Sequence, residues 1–107
     1  MTFRPERPPE QLRGFVEAAE AAGLDDVWLW EDCFLEGGLT SAAAALAWTT
    51  SLRVGLGLMP VPFRNAVLAA MEIASARRGA REPGLEHRRG RYRTLSCRSE
   101  KACKCTM

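Results

Sequence analysis

The chain has 107 residues, 47% of them hydrophobic, and a formal net charge of +2. That size allows one domain at most, and no cleavable leader pattern or run of about 18 apolar residues occurs, so the expectation is a soluble cytoplasmic protein without membrane contact. The modest net charge averages two unlike parts: residues 1–74 hold five of the 15 Lys and Arg and ten of the 13 Asp and Glu, a net −5, and residues 75–107 hold the rest, a net +7.

Met1 to Arg7 is too interrupted for a full element, although Thr2 and Phe3 suit the last residues of a strand. Pro8 or Pro9 fits a first helical turn, Leu12, Phe15, Val16 and Ala19 follow at helical spacing, and Gly23 is placed to end that helix. Asp25 and Asp26 lead into Val27-Trp28-Leu29-Trp30, a run rich in β-formers and apolar on both faces, as a strand covered on both sides would be. Trp28 and Trp30 share one face, Val27 and Leu29 the other. Glu31, Asp32, Cys33 and Phe34 follow directly. Gly37 and Gly38 then make a loop, and Thr40 or Ser41 caps an Ala-rich helix from Ala42 to about Thr50, with Trp48 packing between helix and sheet.

The stretch from Arg53 to Ala74 is the most informative. Val54, Leu56 and Leu58 alternate with Gly55, Gly57 and Met59, which makes one strand face bulky and the other nearly bare. Glycine inside a strand weakens it, and the usual compensations are a bulge, a tight packing neighbour or a ligand lying on the main chain. Pro60 and Pro62 stop the strand, and Asn65 caps the apolar run that follows. Helix, strand, helix, strand, helix with short connections is the order of βα units around a parallel sheet.

After Ala74 the periodicity fails, with room for the helix begun at Asn65 to run a few residues on into Arg77. The tail carries Arg77-Arg78 and Arg88-Arg89, few apolar residues, and three of the four cysteines, Cys97, Cys103 and Cys105. It predicts a disordered basic segment with free thiols and no third crossover. The abrupt change in composition is what a shifted reading frame in a GC-rich gene produces. A rival reading makes the tail a nucleic-acid-binding or interaction arm, its basic clusters meeting phosphates and Tyr92 stacking on a base, but a single aromatic and no repeated motif argue against nucleic acid. A zinc site of His87, Cys97, Cys103 and Cys105 fits no common ligand spacing, so no metal is expected.

At GLGLMPVPFRNAVLAAMEIA, with VWLWEDCF one βα unit earlier, the chain resembles the luciferase-like family of flavin- or deazaflavin-dependent oxidoreductases and monooxygenases, over roughly Phe3 to Ala74. The resemblance implies an α/β fold, a partial (β/α)8 TIM-barrel fragment with parallel strands. It also implies FMN or the deazaflavin coenzyme F-420 at the C-terminal strand ends, and a small organic substrate. Gly57 and Leu58, with Met59 beside them, match the place where relatives bulge the third strand against the coenzyme ring, often through a cis peptide. Glu31 and Asp32 match an acidic-histidine pair that faces coenzyme and substrate, with Asp32 standing where relatives often have the near-neutral proton donor. The alternative for Glu31 and Asp32 is a loop pair that helps to cap the next element. Arg64 would meet a phosphate or a carboxylate such as Glu31, or equally stand as a solvated loop arginine, and Cys33 packs beside the strand end or faces the coenzyme. A closed barrel of this kind needs about 250 residues. Two countable strands cannot close one, so the chain is expected to expose edges open to self-association, and by itself neither to hold flavin tightly nor to turn over.

Overall fold

The computed structural model describes residues 1–32, 34–79 and 95–97. Four parallel strands form one sheet in chain order: β1 (Thr2–Phe3), β2 (Asp26–Trp30), β3 (Arg53–Leu58) and β4 (Leu95–Cys97). Between them run α1 (Leu12–Ala21), entered through a 3-10 turn at Pro9–Gln11, then α2 (Gly38–Trp48), and α3 (Ala66–Gly79), entered through a 3-10 turn at Val61–Phe63. Successive parallel neighbours joined by helices are the repeating unit of a β/α barrel, here an open part of one.

Local chemistry explains each element. Helix α1 ends where Gly23 takes a φ of +75°, and the amides of Gly23 and Leu24 turn back onto the carbonyls of Glu20 and Ala19. This is a Schellman end, and it needs a residue that tolerates the left-handed region. Asn65 starts α3 as its side chain predicts, its Oδ1 accepting from the amide of Val67 at 2.8 Å. Helix α2 begins earlier than the Thr40 or Ser41 cap suggested: its first residue is Gly38, and the acceptor at its N-terminus is the Glu31 carboxylate from the end of β2.

One face of the sheet carries the core. Val27, Leu29, Val54 and Leu56 pair across β2 and β3 and are buried against Leu12, Val16 and Ala19 of α1 and Leu39, Ala42, Ala45 and Leu46 of α2. The other face presents Trp28, Trp30, Gly55 and Gly57, and here the expectation of cover on both sides is corrected, since Trp30 is 46% exposed. Trp48 also differs from its sequence reading. It lies on the surface of α2 with the Arg13 guanidinium 5.9 Å from its ring centroid, because the small residues Ala42 and Ala45 let α2 approach the sheet and leave no gap for an indole.

The C-terminal part differs in one respect. Helix α3 runs on past Ala74, as the sequence allowed as far as Arg77, and ends at Gly79, but Leu95–Cys97 adds a third crossover strand beside β3, where the sequence predicted none. Three residues are too short a run for alternation to announce a strand, and parallel pairing to β3 is what orders them. Cys33, Tyr92, His87, Cys103 and Cys105 lie outside the described residues, and with them most of the tail on which the disorder, zinc and nucleic-acid readings rest. Among the described residues no group of His, Cys, Asp and Glu is arranged to hold a metal, and no helix is long and apolar enough to cross a membrane.

Candidate functional site

The C-terminal ends of β2 and β3 bring most of the sequence-predicted site residues to one end of the sheet. The register between these strands slips after Leu29: Leu29 pairs with Leu56 but Trp30 with Leu58, so Gly57 is the extra residue of a bulge. No peptide bond among the described residues is cis, and the bulge is made in trans. The two strand glycines answer the question of what covers the bare face differently. A Cβ on Gly55 would lie 2.6 Å from Cε3 of Trp28, so the indole occupies that space. A Cβ on Gly57 would sit at ordinary van der Waals distance from the Leu29 carbonyl, 3.5 Å, and from Cε3 of Trp28, 3.9 Å, so there is room for a methyl beside the strand there. Met59 follows, partly buried against the core.

Glu31 and Asp32 separate in role. Glu31 is 3% exposed and lies on the helix side of the sheet, where the space a Gly38 Cβ would fill is 2.9 Å from its own Cβ. Its Oε1 accepts from the Gly38 amide at 3.3 Å and from Nη2 of Arg64 at 2.5 Å. Nη1 of Arg64 faces Glu72 of α3 at 3.6 Å. Of the phosphate, carboxylate and solvated-loop readings of Arg64, the structure has the carboxylate, with the side chain mostly out of solvent. The three side chains therefore tie the end of β2 to the start of α2, the loop after β3 and the second turn of α3. The pair is end-on, which leaves Glu31 Oε2 and Arg64 Nη1 buried without a hydrogen-bond partner. Asp32, next in the chain, is exposed.

Two residues of the loop after β2 stand out here, Phe34, which the sequence places at the strand end, and Glu36, which the sequence reading did not single out. Phe34 is fully exposed and takes a φ of +64°, a conformation a bulky residue adopts at a local cost. Glu36 has one carboxylate oxygen, Oε2, buried and unpaired. Nothing in the local pattern singles out either one, since both depend on how the β2–α2 loop folds back.

The model of the luciferase-like monooxygenase family matches residues 2–78, from β1 to the last turn of α3. No curated protein matches the chain.

Proposed function

The chain belongs to the luciferase-like monooxygenase family, and we propose that its strands supply one wall of an oxidoreductase site for reduced flavin or deazaflavin acting on a small organic substrate. The observation that carries this reading is the Gly57 bulge at the C-terminal end of β3, where no side chain projects from the strand on the face that also carries Trp28 and Trp30. A planar ring system fits such a place: glycine lets it come to van der Waals distance of the main chain, and the neighbouring indole offers an apolar edge. When bound, the coenzyme supplies hydride or oxygen-activating redox chemistry.

The chain's own residues divide the remaining work. Gly57, Leu58 and Met59 form the backbone support. Asp32 stands at the exposed strand end, where its carboxylate can hold a substrate hydroxyl or amine by hydrogen bonding. Glu31 is a positioning residue, since its carboxylate is engaged by Arg64 and the α2 N-terminus and fixes the loop that presents Asp32. Arg64 does not fit a phosphate ligand, because its guanidinium lies between Glu31 and Glu72. The open sheet offers one wall only, so the 107 residues alone hold coenzyme weakly.

Titration of the purified chain with FMN and with F-420, followed by flavin fluorescence, tests this. Expected are dissociation constants weaker than about 10 µM for either, weakened further by Gly57→Val, whose branched side chain fills the bulge. Coenzyme that stays stoichiometric through gel filtration would refute weak binding. Equal affinity of the Gly57→Val variant would refute the bulge as the support.

A further inference from the structure

At the end of the sheet away from the coenzyme wall, the connection from α2 to β3 closes around one carboxylate oxygen. Glu20, near the end of α1, places Oε1 where it accepts from three consecutive amides, Thr50 at 2.8 Å, Ser51 at 2.5 Å and Leu52 at 3.2 Å. The hydroxyls of Thr50 and Ser51 donate to the same atom at 3.2 and 2.9 Å. Successive main-chain N–H groups aimed at one point form a nest, a concavity whose fixed partial charges hold an anion. Thr50 and Ser51 are exposed, so this one opens to solvent.

One carboxylate oxygen offers about two lone pairs, and five donors converge on it, so the nest is richer in donors than its occupant can serve. An anion that is free to turn, or that has more oxygens, shares those donors out better. Glu20 reaches the nest from 30 residues away in the chain. It is a tethered ligand, and its hold rests on a high effective concentration. We propose that the Thr50–Leu52 connection is a binding site for a small oxyanion, a carboxylate or a phosphate, which Glu20 occupies and keeps closed. Cutting the Glu20 side chain back to Cβ vacates a space with the shape of acetate, because acetate contains the atoms that are lost. A phosphate meets the same amides and hydroxyls through several oxygens in charge-assisted hydrogen bonds.

The test is an amide 1H–15N titration and a thermal melt of the whole chain, native and Glu20→Ala, with sodium acetate, sodium phosphate and sodium chloride at matched ionic strength and neutral pH. Expected for Glu20→Ala are saturating shifts at the Ser51 and Leu52 amides with acetate or phosphate, and a melting temperature that climbs with their concentration. The native chain should need about tenfold more of either anion, or worse, for the same shifts, since Glu20 competes. Tighter binding of acetate assigns the site to carboxylates and tighter binding of phosphate to phosphate groups, and either supports it. The same response to chloride, no localised shift in Glu20→Ala, or equal affinity in the native and variant chains each overturns the proposal. If Glu20→Ala unfolds in plain buffer, recovery of its folded spectrum with acetate or phosphate and not with chloride supports the site, and no recovery with any of the three overturns it. Flavin titration reads the other end of the sheet, so either proposal can fail without the other.

Discussion

Gly55 and Gly57 look alike in the sequence, two residues apart on one strand face, yet they do different work. At Gly55 the missing side chain is replaced by the Trp28 indole from the neighbouring strand, and at Gly57 by a bulge. Gly55→Ala should therefore destabilise the chain by roughly 1–3 kcal/mol through overpacking. Gly57→Ala should stay within about 1 kcal/mol of the parent. Urea unfolding midpoints of the two variants check this, and indistinguishable midpoints would show that the indole is not fixed over Gly55. That a bare face needed an explanation was legible from the alternation of Gly with Val and Leu. Which explanation applied to each glycine was not, because it depends on the register with β2. The same limit explains Trp48, whose apolar character suggested burial but whose position on α2 is set by the small residues facing the sheet.

Elements are joined at this molecule's loops by carboxylates that reach far along the chain. Glu20, near the end of α1, accepts with one oxygen from the amides of Thr50, Ser51 and Leu52 and from the hydroxyls of Thr50 and Ser51, and so pins the connection that enters β3. Burial alone would raise its pKa, but the Ser51 and Thr50 donors outweigh that and hold the carboxyl below its ordinary value of 4.5. A depressed folded pKa means that the stabilisation is fully present above the unfolded value and disappears as pH falls through the folded one. Glu20→Gln should thus lower the melting temperature at neutral pH and converge with the parent in acid below that folded pKa. Melts recorded across the acidic range decide it, and a gap that persists unchanged into acid would remove the charge from the explanation. At the opposite end of the sheet, Arg64→Ala leaves the Glu31 carboxylate buried without its cation, an effect of roughly 3–5 kcal/mol. Arg53→Ala breaks a half-exposed pair with Asp26 and should cost about 0–1 kcal/mol. Denaturant unfolding of the two variants should show that order, and equal effects would refute the brace. The helices and strands themselves were legible from periodicity, from Gly23 and from Asn65. The early start of α2 was not, since its cap comes from Glu31, outside the helix and not a neighbour in its local pattern.

At the scale of the whole molecule, the covered and open sides of the sheet follow from one geometric fact. Right-handed crossovers place consecutive helices on the same side of a parallel sheet, so the side bearing Val27, Leu29, Val54 and Leu56 acquires the core. The opposite side keeps Trp28 and Trp30 for whatever completes it. The connections after β2 and β3 gather at one end, which brings Arg64 onto Glu31 although 33 residues separate them. Exposed Phe34, Leu35, Phe63, Val67 and Leu68 ring that end, and β1 is an edge strand. Apolar surface and a free edge in the same molecule are the physical basis for the self-association expected from the sequence, which remains a proposal for sedimentation to test.

The sequence by itself determined the α/β class, the order of the elements, the bulky core face and the family, because hydrophobic period, glycine punctuation and capping are local properties that a chain carries in its order of residues. Tertiary structure alone decided that Glu31 braces while Asp32 is exposed, that Arg64 takes a carboxylate, that Trp28 fills the space at Gly55, and that Leu95–Cys97 joins the sheet. Each of these is a contact between residues distant in the chain, and its partner is selected by strand register and crossover geometry, which no local pattern specifies.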